Sequence, residues 1–119
     1  MKVVLDTNFL IDAIRFKIDL DNIKNLIHSC TLTTLDSVVE ELERISKGSS
    51  HASRNAKVAL KLIKEYQIEI LKSKEKNVDK SMLAIDAIIA TNDKNLRKKL
   101  KSFGKKSIYL KSKKELAIG

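Results

Sequence analysis

Apolar positions follow two rhythms along the chain. Short runs rich in β-branched residues occur at Lys2 to Leu5 (KVVL), Cys30 to Thr34 (CTLTT), Ile68 to Leu71, Ile88 to Thr91 and Ser107 to Leu110 (SIYL). Such runs predict short strands of the kind buried in a parallel sheet. Between them apolar residues recur at helical spacing. Thr7 to Ile14 starts a helix with Asp6 or Thr7 at its cap, and Leu20, Ile23 and Ile27 follow Asp19, a plausible N-cap. From Asp36 or Ser37 a helix places Val38, Leu42 and Ile45 on one face and ends at Gly48. A polar loop, Ser49 to Arg54, leads into a helix through Ala56, Ala59, Leu60 and Ile63. Val78 to about Ala84 is a short helix, and Leu96, Leu100 and Phe103 form the apolar stripe of the last one. Strands and helices alternate throughout. That pattern predicts an α/β three-layer sandwich, with a mainly parallel five-stranded sheet flanked by helices, in one domain over residues 1–119. In such sheets binding sites gather at the carboxyl ends of strands.

Composition changes this picture in two ways. The single cysteine, Cys30, cannot form an internal disulfide, so a reduced, cytoplasmic setting is expected. With only His28 and His51 beside it, zinc is out of reach. No apolar run is long enough to cross a bilayer, and the N-terminus lacks the layout of a signal peptide. The formal charge is +9, and Lys94 to Lys114 alone hold ten Lys or Arg and no Asp or Glu. A patch of this kind favours a polyanion and salt-dependent binding; the plainer reading is a solvated lysine-rich surface. Aromatic residues number only five, which favours a grip through phosphates and a shaped groove over base stacking.

The acids then need places. The first strand runs straight into Asp6, in VVLDTNFLID (residues 3 to 12). A buried, unpaired carboxylate tends to neutralise rather than stay ionised, so Asp6 either caps the next helix or is held there for chemistry. Asp93 repeats the junction in IIATND, residues 88 to 93. If the two strands are parallel neighbours, the two carboxylates meet. At roughly 100° per residue, Glu41 falls at the border of the Val38, Leu42 and Ile45 stripe, while Glu40 and Glu43 point away. Asp79 opens a helix, where a first-turn acid also suits the dipole. Asp86 lies seven residues on, either on the same face or in a turn. Asp12 reads as a surface helix acid. Converging carboxylates repel and raise one another's pKa, a conflict that a divalent cation removes. Oxygen-only ligands point to Mg²⁺ or Mn²⁺.

These residues also resemble the PIN-domain ribonucleases, especially the archaeal branch related to ribosomal-RNA-processing nucleases. VVLDTNFLIDAIRFKIDL looks like that family's first strand and helix, and SVVEELERISKG (37 to 48) like its second acidic motif. NVD (77 to 79) resembles the third motif, IIATNDKNL (88 to 96) the fourth, and SIYLKSKKEL the closing strand and tail. The resemblance spans essentially the whole chain. It implies that Asp6, Glu41, Asp79 and Asp93 bind the metal and carry catalysis, with Asn8, Thr91 and Asn92 as polar support. Two departures stand out: Lys80 occupies the place where the family often carries a second Asp, and the segment between Asp79 and Asp93 is short. The shortening makes Asp86 a substitute candidate for Asp79.

The function so implied is a Mg²⁺- or Mn²⁺-dependent endoribonuclease that leaves a 5′-phosphate and a 3′-hydroxyl, acting in ribosomal-RNA maturation or RNA processing. Lys47, His51, Arg54, Lys57, Arg97, Lys98 and Lys101 are the expected phosphate contacts. Competing readings are a ribonuclease toxin of a toxin–antitoxin pair and a non-catalytic RNA-binding module. A metal-dependent hydrolase of small molecules fits the acids but leaves the basic tail without a role. Expected partners are RNA, a second copy of the chain through the apolar helix face around residues 20 to 27, and an antitoxin or ribosome-assembly protein. No membrane is expected.

Overall fold

A computed structural model describes all residues, 1–119. In chain order the elements are β1 (Lys2–Leu5), α1 (Thr7–Arg15), a 3-10 turn (Leu20–Asn22) running into α2 (Ile23–Leu26), β2 (Thr31–Leu35), α3 (Asp36–Ser46) and α4 (His51–Glu65). They continue as β3 (Glu69–Leu71), α5 (Val78–Ala84), β4 (Ile88–Ala90), α6 (Lys94–Ser102), β5 (Ser107–Ser112) and β6 (Glu115–Ile118).

The sheet has six strands in the order β3-β2-β1-β4-β5-β6, so the expected count of five was one short. All neighbours are parallel except β5 and β6, which pair antiparallel with a register shift between Leu110 and Ser112. From β1 the chain steps outward to β2 and β3, then returns to the other side of β1 for β4 and β5. Right-handed crossovers in opposite directions place their helices on opposite faces. Accordingly α1 packs on α3 and α4, while α5 packs on α6. The result is the three-layer α/β architecture expected.

β1 sits at the centre, with Val3, Val4 and Leu5 fully buried. Two buried threonines on β2 keep their hydroxyls satisfied through β1: Thr33 Oγ1 donates to the Val3 carbonyl at 2.9 Å and Thr34 Oγ1 to that of Leu5 at 2.7 Å. Leu20, Ile23 and Ile27 are also buried in the chain's own core, leaving Leu26 exposed. The face expected to pair two copies of the chain is therefore already occupied within one. Phe103 departs in the opposite sense: Leu96 and Leu100 are buried as the spacing predicts, yet the Phe103 ring is exposed. Helix α6 ends at Ser102, and Gly104 turns the chain at φ +73, before the stripe can reach the core. No helix is long and apolar enough to cross a membrane.

Candidate active site

β1 and β4 are parallel neighbours in the register Leu5↔Ala90, so the residues that follow them emerge side by side. The sheet reverses its direction of growth here, the crevice where open α/β sheets place ligands. Asp6 stands at this point with only 6% of its surface exposed. Its amide donates to the Ala90 carbonyl at 2.9 Å, which continues the ladder by one residue. One carboxylate oxygen, Oδ1, accepts the Thr7 amide at 2.8 Å and caps α1. The other, Oδ2, accepts the Thr91 hydroxyl at 2.7 Å.

These two bonds do not offset the surroundings. Asp6 is pushed up from 3.8 to about 6, first by burial and then by the negative charges of Asp79 and Glu41, against the lowering effect of Thr91 and Thr7. The two readings of Asp6 thus coexist: it caps a helix and also sits in the field of two further acids. Glu41 is half-buried on α3, with Glu40 and Glu43 exposed beside it, as the helical spacing predicts. Asp79 is half-buried in the first turn of α5, behind the cap Asn77, whose Oδ1 accepts the Lys80 amide at 3.1 Å. Lys80 itself is exposed and makes no ion pair with Asp79.

The other candidates divide. Asp93 caps α6: its Oδ1 accepts the Asn95 amide at 2.9 Å and the Leu96 amide at 3.2 Å. Its own amide donates to Thr91 Oγ1 at 3.2 Å, so the threonine hydroxyl links the two strand-end acids. Asn8 Oδ1 accepts the Asn92 amide at 3.1 Å and lies 3.3 Å from Thr91 Oγ1, whose one proton is committed to the shorter bond with Asp6. Asn92 is turned elsewhere. Its Nδ2 donates to Asp12 at 2.9 Å and its Oδ1 accepts the Leu110 amide at 2.8 Å, a clamp between α1 and β5 rather than support for the carboxylates. Asp12 is accordingly not the unaccompanied surface acid expected. Asp86 lies in the bend before β4, at the amino end of the strand whose carboxyl end carries Thr91. That position faces the wrong edge of the sheet for a substitute ligand.

Asp36 was read only as a helix start, although LDS after β2 repeats the strand-to-acid junction of LDT after β1. Its Oδ1 accepts the Ser37 amide at 2.7 Å, the Ser73 amide at 2.8 Å and the Ser73 hydroxyl. These bonds, the Ser73 hydroxyl foremost, hold its pKa below the usual value. They tie the chain after β3 to the start of α3.

Among the basic candidates, Lys47, His51, Arg54, Lys57, Lys98 and Lys101 are exposed. The polar loop is shorter than expected, since α4 begins at His51 behind the cap Ser50 and so carries both His51 and Arg54. Arg97 is packed with its guanidinium 3.3 Å from the centre of the Tyr109 ring, and its Nε is buried without a hydrogen-bond partner. With Lys94, Lys98, Lys101 and Tyr109 it lines a basic pocket of about 350 Å³. Tyr109 was missed because SIYL reads simply as a strand. A separate cavity of about 550 Å³, between Asp21, Cys30 and Tyr66, lies by the amino ends of β2 and β3, across the sheet from Asp6.

The donor set around Asp6 suits a hard cation: carboxylate oxygens, no thiol or imidazole, and a like-charge pressure that a cation relieves. A buried Thr7 hydroxyl oxygen beside it has no partner. No three His, Cys, Asp or Glu side chains stand close enough together to hold an ion directly, which suits an ion that keeps part of its water shell.

A family model described as "PIN like domain" matches residues 3–113. The structure of the PIN domain endonuclease Utp24 is similar over 98% of this chain and 90% of that one, with 25% identity and a TM-score of 0.80. A domain of a functionally unknown protein from Methanocaldococcus jannaschii DSM 2661 covers 96% of this chain and 94% of its own, at 19% identity and a TM-score of 0.68. That likeness speaks to the fold alone. No curated protein matches the sequence.

Proposed function

Because the chain belongs to the PIN-like domain family, we propose that it is a Mg²⁺- or Mn²⁺-dependent endoribonuclease acting in ribosomal-RNA maturation or RNA processing. The observation that carries this reading is Asp6, a buried carboxylate at the sheet's switch point whose pKa is raised by burial and by Asp79 and Glu41. The endonuclease named among the similar structures supports the reaction class. The resemblance of the opening residues to ribosomal-RNA-processing nucleases supports the role.

Asp6 would hold the ion, with Glu41, Asp79 and Asp93 completing the site directly or through water. Bound there, Mg²⁺ or Mn²⁺ supplies positive charge that favours ionisation of water and offsets charge on the phosphoryl group. The chain's part is positional. Thr91 and the Thr7 amide fix the two oxygens of Asp6. Asn8 holds the Asn92 amide and so the loop that leads to Asp93. The lysines of α6 hold phosphates of the strand being cut, with in-line displacement leaving a 5′-phosphate and a 3′-hydroxyl.

The test is cleavage of a labelled RNA in Mn²⁺ by the parent, Asp6→Asn and Asp93→Asn, with end analysis of the products. Loss of cation-dependent cleavage in Asp6→Asn is expected. Undiminished cleavage by both variants overturns the mechanism. RNA binding without cleavage by the parent assigns the chain to a binding module instead.

A further inference from the structure

Phe103 has no role in the fold or in the site described above. Its ring is 67% exposed, although the α6 stripe to which it belongs is otherwise buried. The ring forms one wall of a pocket of about 540 Å³ between α5 and the end of α6. Leu83 and Ala84 form the opposite wall, and Lys80, Lys105 and Glu75 complete the lining. The two sides are tied together. Lys105 Nζ donates to the Leu83 carbonyl and, at 3.0 Å, to that of Ile85, which fastens the end of α5 to the chain just past Phe103. The pocket is therefore shaped before anything enters it.

Its surroundings narrow the occupant. Helix α6 runs from Asp93 at its cap to Phe103 at its end, about 14 Å at 1.5 Å per residue. Along that length it carries Lys94, Arg97, Lys98, Lys99 and Lys101 and no acid. A polyanion laid on this helix reaches the apolar pocket at one end and the acids at the other. The group on a polyanion that fits between an aromatic ring and leucine and alanine side chains is a flat base. A duplex keeps its bases stacked inside, so only an unpaired strand can offer one.

We propose that Phe103 is a stacking platform for an unpaired base of single-stranded RNA lying along α6, with Lys80 beside it for a flanking phosphate. This rests on the reading of RNA as the substrate, and it adds that the substrate is single-stranded at that position.

The test is binding in EDTA, where no cleavage occurs, of a fluorescent single-stranded RNA and of the same sequence as a duplex. Phe103→Ala is expected to weaken single-strand binding about tenfold, in keeping with the contribution of base–aromatic stacking, and to leave duplex binding within about twofold. Phe103→Trp should keep the parental affinity and show quenched indole fluorescence when the single strand binds. Equal single-strand affinity of the parent and Phe103→Ala, or an equal loss for both RNAs, overturns the proposal. So does an effect of Phe103→Ala confined to association with a protein. If the alanine variant melts early, the fluorescence of Phe103→Trp decides alone. Failure here with Mn²⁺-dependent cleavage intact leaves the nuclease reading standing; Phe103-dependent binding with no cleavage leaves only the platform.

Discussion

Asp6 is where burial, hydrogen bonding and charge compete within one side chain, and the outcome sets a pH dependence. Its pKa rises from 3.8 to about 6 on folding, so the folded state binds this proton more tightly than the unfolded state does. Stability from this group is therefore complete below pH 4 and is lost as pH climbs to 6, a change of about 3 kcal/mol at 1.36 kcal/mol per unit. Above pH 6 the deficit is constant. In EDTA, Asp6→Asn should remove most of this titration: thermal melts are expected to show the variant gaining on the parent between pH 4 and pH 7. A parent whose melting temperature does not fall relative to the variant over that range would contradict the tuning of Asp6. Cation binding has the opposite sign, because the ion competes with the proton for the same oxygens.

The elements around this residue are held by side chains as much as by strand ladders. Asn92 joins α1 to β5 through Asp12 and the Leu110 amide. Asn92→Ala should cost on the order of 2 kcal/mol in urea unfolding, since it strands a backbone donor and removes a bond to a carboxylate. An unchanged midpoint would show that water replaces both bonds. This clamp was not legible in the sequence, because its partners lie 80 and 18 residues from Asn92 and no local pattern connects them. What was legible depended on local chemistry. Helix α5 and its neighbour Asn77, an α3 that brings Glu41 inward, and the strand that ends on Asp6 all follow from spacing or capping within a few residues. β6 escaped because its turn, Lys113–Lys114, contains none of the Gly, Asn or Pro that announce hairpins, and Glu115–Ile118 shows its nature only by pairing with β5. Phe103 escaped for a related reason. Periodicity gives the direction of a side chain but not the residue at which the helix stops.

At the scale of the whole molecule, charge and topology act together. The +9 charge is concentrated on the chain that follows β4, so the acids at the sheet's carboxyl edge border a basic face. Replacing Lys98 and Lys101 by Ala should weaken RNA binding evenly across sequences and flatten the dependence of log Kd on log salt by about one unit. Arg97 is the wrong residue for that experiment, because its stack on Tyr109 mixes packing with charge. An unaltered salt slope would place the RNA elsewhere. The strand order also carries a consequence in time. β1, β2 and β3 pair in sequence within residues 2 to 71, whereas Asp6 meets Thr91 across a separation of 85 residues. On a growing chain, half of the sheet can assemble with one edge of β1 bare and Asp6 still bathed in water, titrating like any other aspartate. Only the arrival of β4 closes that edge and changes the acid, so the nuclease's chemistry is an attribute of the finished fold and of no earlier fragment.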